Sequence, residues 1–268
     1  MSDSTLLIER FGFTVHVTLN RPECRNAMSL FMLTELDALF DSLQDDRSVR
    51  AVVIRGCNGH FCAGGDIKDM ANARAKAMAA TSDATSSFYE LNRAFGRVML
   101  RANELPQVLI TVLEGAVLGG GFGLACVSDV GIAAHNAQFG MPETSLGVIP
   151  AQIAPFVVQR IGLTQARRLA LLGERFDGAE AVRLGIAHYL AQDAGDIEKL
   201  LNAVLNKVKL CAPDANRNTK ALMHRVGRIE MEKLLDGAAR EFAAAVQSAE
   251  GTEGTVAFVQ KRPPSWAQ

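Results

Sequence analysis

An α/β fold carrying a helical C-terminal segment is predicted by three features of the sequence. Residues 13–19 alternate apolar and polar side chains, the period of a half-buried strand. Apolar runs at 51–54 and 108–113 are each followed by a glycine-rich turn, at 57–66 and 119–123. Past Pro150 the periodicity is helical alone. The division this implies is an α/β core over 1–195 and a helical segment over 196–268.

Each element has a local cause. His16 alternates with apolar neighbours and falls on the polar face of the first strand. Asn20-Arg21-Pro22-Glu23 ends that strand, because proline fixes φ and lacks a donor. Ser29 is placed to cap a helix on which Leu33, Leu36, Phe40 and Leu43 share one face. The apolar run 51–54 reads as a buried strand leading into the first glycine turn. Residues 69–87, rich in Ala, Ser and Thr, fit a mobile flap, a loose helix or a plain exposed connection. A helix over 88–104 leads to the strand 108–113. The second glycine turn opens a short helix, and 130–134 is a further strand. Helices are then expected at 164–172, 177–184, 195–210, 213–226 and 229–247. Met231, Leu234, Leu235, Ala238, Phe242 and Val246 stripe the last of these, for packing on the core or on a neighbouring subunit.

Bulk properties exclude several functions. The 268 residues are 49% hydrophobic, enough for a sizeable core, and the net charge is −1 without charged blocks. Neither nucleic acid nor a membrane surface is therefore an expected partner. Cys24, Cys57, Cys62, Cys126 and Cys211 lack disulfide or zinc-ligand spacing, which fits a reducing cytoplasm and no metal. The polar start Met1-Ser2-Asp3-Ser4 has no apolar signal core, and no apolar run is long enough to span a bilayer.

The glycine turns are where chemistry is expected. They read Phe61-Cys62-Ala63-Gly64-Gly65-Asp66-Ile67 and Leu118-Gly119-Gly120-Gly121-Phe122-Gly123. Glycine lets backbone N–H groups approach a ligand, and an N–H at a helix N-terminus carries partial positive charge. Two such groups converging on one carbonyl oxygen stabilise an oxyanion, each donor worth roughly 2.7–4 kcal/mol of barrier. Taken alone, either turn is explained first by tight packing. A dinucleotide site fails at Leu124, where the third glycine would fall, and no Gly-Lys-Ser/Thr follows to make a phosphate loop.

Five motifs occur in order: Leu19-Asn20-Arg21-Pro22, Arg25-Asn26-Ala27, Ala63-Gly64-Gly65-Asp66-Ile67, Gly119-Gly120-Gly121 and Phe139-Gly140-Met141-Pro142-Glu143. The series resembles the crotonase (enoyl-CoA hydratase/isomerase) superfamily, from about residue 6 to Phe258-Val259-Gln260-Lys261-Arg262. The resemblance implies a spiral of β-β-α units with C-terminal helices that support trimers, commonly paired into hexamers. It implies an acyl-CoA substrate, with coenzyme A as part of the substrate and no separate cofactor. It makes Gly65 and Gly120 the oxyanion N–H donors and Glu143 the catalytic carboxylate. Arg25, Ala63, Asp66, Ile67 and Lys68 then fall along the CoA moiety. Phe258 and Lys261 match positions that touch CoA, often from a neighbouring subunit.

Two departures qualify this. Hydratases of the family usually carry a first glutamate two residues past the glycine triple, and here Gly123 stands there. The stretch Ala151-Gln152-Ile153-Ala154-Pro155-Phe156 replaces a turn that is glycine-rich in many relatives. With both departures the chain is similar to hydratases of branched glutaconyl-CoA esters, of the isohexenylglutaconyl and methylglutaconyl types. Three readings stay open: hydration, double-bond isomerisation with a single acid, and acyl-CoA binding without chemistry.

Overall fold

The structure, a computed structural model, describes residues 4–69, 71, 72, 75 and 84–268, with the side-chain surroundings of 84–87 left aside. The flap reading of 69–87 lies largely outside the described residues. Strands β1 (Leu6–Phe11) and β2 (Thr14–Leu19) form an antiparallel hairpin around Gly12. The remaining strands are β3 (Ala51–Gly56), β4 (Val108–Leu113), β5 (Ala116–Leu118), β6 (Val130–Ala134), β7 (Gln138–Gly140), β8 (Arg175–Phe176) and β9 (Tyr189–Ala191). One sheet has six strands in the order β1-β2-β3-β4-β6-β9, parallel from β2 onward. A smaller sheet has the order β5-β7-β8, with β5 and β7 parallel.

The helices are α1 (Leu30–Leu43), α2 (Ala84–Glu104), α3 (Gly120–Val127), α4 (Ala154–Leu172), α5 (Gly178–Arg183), α6 (Ala194–Leu210), α7 (Pro213–Arg225), α8 (Met231–Gln247) and α9 (Ala249–Val259). Ser29 caps α1 as expected, its Oγ accepting the Met32 N–H at 3.2 Å. The units β4-β5-α3 and β6-β7-α4 repeat the strand-strand-helix pattern of the crotonase fold.

Both faces of the large sheet are covered, which is why β3 and β4 read as continuous apolar runs rather than alternating ones. Val52, Ile54, Leu109 and Leu113 face a core shared with α1, α2, α3 and α4. Ala51, Val53, Ile110, Val112 and Ile132 face Ile197, Leu201, Val204 and Val208 of α6. The first helix past residue 195 thus packs directly on the sheet. Arg50 ties down its C-terminal end, donating to Val208 O at 2.7 Å and Lys209 O at 2.9 Å.

Past Pro150 the chain is not helical alone: β8 and β9 lie there, too short to show a period of two. Helix α4 begins ten residues earlier than its apolar pattern suggested, because Gly162 at φ 75° breaks the periodicity midway. Short strands β5 and β7, the first strand β1 and the last helix α9 also escaped the reading. The stripe on α8 keeps only Leu234 buried, while Met231, Leu235, Phe242 and Val246 are exposed. Among the described residues, no helix is long and apolar enough to cross a membrane.

Candidate active site

Strand pairing places the three candidate catalytic positions at one end of the small sheet. Cys62 pairs in parallel with Val117, and Val117 with Phe139. Gly65 lies three residues past Cys62, Gly120 three past Val117, and Glu143 four past Phe139. All three therefore leave parallel strands at their C-terminal ends, where α/β sheets present functional groups.

The first glycine turn is clamped from both sides. Cys62 donates its N–H to Ala116 O at 2.8 Å and accepts from Leu118 N–H at 2.9 Å. Ala63 donates to Arg25 O, Gly64 O accepts from Met28 N–H at 2.8 Å, and Asp66 donates to Met28 O at 3.0 Å. This is a parallel bridge between Met28 and Gly65. Its two bonds use the residues flanking Gly65, so Gly65's own N–H faces away from Met28. Gly64 makes the tight bend at φ 108°, where a side chain would be strained. A Cβ built on it would lie 3.4 Å from Leu118 O and 3.9 Å from Gly120 N. The two turns are in contact.

The second turn opens α3. Gly119, at φ 50°, donates to Gly140 O at 3.0 Å, and Gly123 N–H closes the first helical bond on Gly119 O at 2.9 Å. The N–H groups of Gly120 to Phe122 precede that bond and have no intrahelical acceptor. The turn has no room for side chains: a Cβ on Gly121 would meet Cys62 at 2.7 Å, and one on Gly120 the Phe95 ring at 2.2 Å. Phe95 of α2 thus lies against the peptide proposed to bind the oxyanion.

Glu143 follows Met141, which is buried, and Pro142 at the start of a 3-10 turn, Glu143–Leu146. Thr144 fastens that turn to α4 through Ala170 O at 2.8 Å. The carboxylate points back at the glycines, with Oε1 3.0 Å from where a Gly119 Cβ would be. Its Oε2 is buried and has no hydrogen-bond partner among the described residues. Burial raises the Glu143 pKa above the ordinary 4.5. A half-buried acid with one unpartnered oxygen, set beside the second glycine turn, is equipped to exchange protons with a bound ligand.

Gly123, where a first glutamate would stand, is packed shut. A Cβ there would lie 2.3 Å from Ile153 Cγ2 and 3.5 Å from Met99 Sδ. The two sequence departures are therefore one structural feature, since Ile153 of the second fills the space beside the first. Cys62, although at the site, is no nucleophile; burial pushes its thiol up to about 12.

The remaining expected residues divide into two groups. Asp66 is buried and committed, pairing with Arg21 at 2.7 Å and accepting the Lys68 N–H at 2.8 Å. It holds the turn rather than offering its side chain to a ligand. Ala63 is half-buried, and Ile67, Lys68 and Arg25 are exposed around the same turn. Arg25, with φ 50°, lines a cavity of about 460 Å³ together with His60, Leu118 and Arg175. Phe258 and Lys261 are exposed at the end of α9. No hydrogen bond or ion pair joins them to the glycine turns among the described residues. Phe95, Met99 and Ile153 were not anticipated, because an apolar residue gives no signal of which cavity it will line.

Comparison with known proteins gives the same picture. The model of the enoyl-CoA hydratase/isomerase family matches residues 13–268. A probable enoyl-CoA hydratase of Mycobacterium bovis is 33% identical over 267 residues, covering 99% of each protein. Among solved structures, Pseudomonas aeruginosa AtuE is 60% identical with a TM-score of 0.94, covering 98% of this chain and 100% of its own. An enoyl-CoA hydratase/isomerase from Marinobacter aquaeolei is 59% identical with a TM-score of 0.95, covering 98% and 99%.

Proposed function

Since the chain belongs to the enoyl-CoA hydratase/isomerase family, we propose that it hydrates a branched 3-substituted glutaconyl-CoA, of the isohexenylglutaconyl type met in acyclic terpene breakdown. Enoyl-CoA hydration is its activity. The narrower substrate rests on the paired departures at Gly123 and 151–156 and on the 60% identity to AtuE.

The observation that carries the mechanism is the Glu143 carboxylate, with one buried, unpartnered oxygen, set against Gly119 where the two glycine turns meet. The thioester carbonyl sits between the Gly65 and Gly120 N–H groups, which stabilise its oxygen as the enolate forms. Water bonds to C3 while Glu143 takes one of its protons. Glu143 then returns a proton to C2, which restores the carboxylate and collapses the enolate to the thioester. One acid serves both transfers because Gly123 supplies none. The segment 63–68 and Arg25 flank the CoA moiety, and Phe258 and Lys261 reach it from a neighbouring subunit. The uncovered apolar stripe on α8 supports self-association as a trimer or a pair of trimers.

The test is turnover of a 3-substituted glutaconyl-CoA beside crotonyl-CoA and a 3-enoyl-CoA, in heavy-oxygen water. Preferred conversion of the branched ester, with one solvent oxygen in the product, is expected. Conversion of the 3-enoyl ester alone, with no mass gain, would refute hydration. Glu143→Gln, which cannot accept a proton, is expected to abolish turnover; surviving activity would refute the single-acid mechanism.

A further inference from the structure

Helix α2 forms one wall beside the catalytic glycines, with Phe95 against Gly120 and Met99 near Gly123. Two and three residues before Phe95, the same helix carries Arg93 and Asn92, whose polar groups meet Gln152 just before α4. Arg93 is half-buried there, and its Nη1 donates to Gln152 Oε1 at 2.9 Å. Gln152 Nε2 in turn donates to Asn92 Oδ1 at 2.8 Å. The two bonds fix which way the Gln152 amide faces, so its oxygen is the atom offered to Arg93. Gly96 makes the arrangement possible, because a Cβ there would lie 1.9 Å from Gln152 Oε1 and 2.6 Å from Arg93 Nη1. Gln152 directly precedes Ile153, the residue that closes the space at Gly123.

A guanidinium has five N–H donors and no acceptor. Among the described residues Arg93 donates only to the neutral Gln152 and has no carboxylate within 4.0 Å. Many other arginines of this chain lie in ion pairs, as Arg21, Arg101, Arg168 and Arg262 do. A half-buried cation held in place by a neutral amide, its fork otherwise unused, is an arrangement suited to an incoming carboxylate.

We propose that Arg93, positioned by Gln152 and Asn92, binds the free carboxylate of the substrate's glutaconyl group. The inference rests on the proposed substrate and names the residue that selects it. In a glutaconyl thioester the free carboxyl carbon is four bonds from the thioester carbonyl carbon, so the group that binds it must stand about one helical turn, roughly 5 Å, beyond the carbonyl. With the carbonyl at Gly65 and Gly120 and C3 facing Glu143, the acidic arm extends along α2 toward Arg93. The apolar branch on C3 is left for the remaining wall. Gly123 and the 151–153 stretch then have a shared purpose: Ile153 fills the space of an acid that would repel the dicarboxylic substrate, and Gln152 orients the cation that attracts it.

The experiment compares 3-methylglutaconyl-CoA with 3-methylpent-2-enoyl-CoA, in which a methyl group replaces the carboxylate. Arg93→Met keeps the side chain's bulk and removes its charge. It is expected to lower kcat/KM on the acidic ester roughly 10- to 100-fold more than on the neutral one, mainly through KM. Arg93→Lys is expected to recover part of the difference, since it restores charge without the fork. Equal losses on both esters, or no loss on either, would overturn the assignment of Arg93 while leaving the substrate reading standing. Wild-type enzyme with no preference for the acidic ester would overturn the substrate reading, and the role of Arg93 with it.

Discussion

Replacing Gly123 by alanine tests whether the absent glutamate reflects packing. In an open helix the change would stabilise the protein by about 0.8–1 kcal/mol, the difference in helix propensity. Here the new Cβ would lie 2.3 Å from Ile153 Cγ2, over 1 Å inside ordinary contact, and 2.9 Å from Ile153 Cβ. Neither neighbour has free space, as Ile153 is 3% exposed and Met99 fully buried. Inserting a methyl group into such a site costs about 1–3 kcal/mol, so the clash outweighs the propensity gain. Offset against that gain, the expected net loss is up to about 2 kcal/mol, with the unfolding midpoint falling roughly 2–4 °C per kcal/mol. Urea or thermal unfolding at fixed protein concentration reads it. Ile153→Ala alone costs about 2–5 kcal/mol, but it removes the Cγ2 clash and leaves only the 2.9 Å contact with Cβ, so in that background the cost of Gly123→Ala should shrink. A stabilisation near 1 kcal/mol from Gly123→Ala alone would refute the reasoning. Gly123→Glu, which also buries a carboxylate beside Met99, should lower stability without raising hydration.

Two other outcomes follow from the site. Burial raises the Glu143 pKa, so the unfolded chain ionises this group first as pH rises. The acid costs nothing below 4.5 and destabilises the fold increasingly above it, until the folded group has also ionised. Glu143→Gln should therefore gain thermal stability over wild type at pH 8 and lose that advantage at pH 4; a pH-independent difference would count against the burial argument. Asp66→Ala leaves Arg21 without its buried carboxylate, keeping only the more distant, exposed Glu23, and removes the Lys68 N–H acceptor. A loss of about 2–3 kcal/mol is expected, with a raised KM for every CoA ester; a change under about 0.5 kcal/mol would mean that the pair does not hold the turn.

The readable parts of the sequence were those with a local cause. Ser29 announces α1 because its hydroxyl satisfies an N–H three residues ahead. The alternation through His16 shows β2, since one face of that strand is less covered than the other. Gly64, Gly119 and Glu143 were found as motif members, and the turns need glycine at those backbone angles and approaches whatever the surrounding fold. Strands of two or three residues, such as β8 and β9, have no period to detect, and their pairing is decided by partners elsewhere in the chain.

The sequence by itself determined the family and where the two glycine turns and Glu143 fall in its motifs, because each motif is a property of adjacent residues. Only the tertiary structure decided why the first acid is absent. Gly123 and Ile153 are 30 positions apart and look like unrelated departures until α3 and the start of α4 pack together. The same holds for Arg93, Gly96 and Gln152: a lone arginine on a helix reads as a solvated charge. It becomes a candidate binding group when a distant amide fixes it and no acid among the described residues lies close enough to pair with it. Side-chain neighbourhoods of this kind depend on contacts between segments remote in sequence, and the packing of the helices sets them.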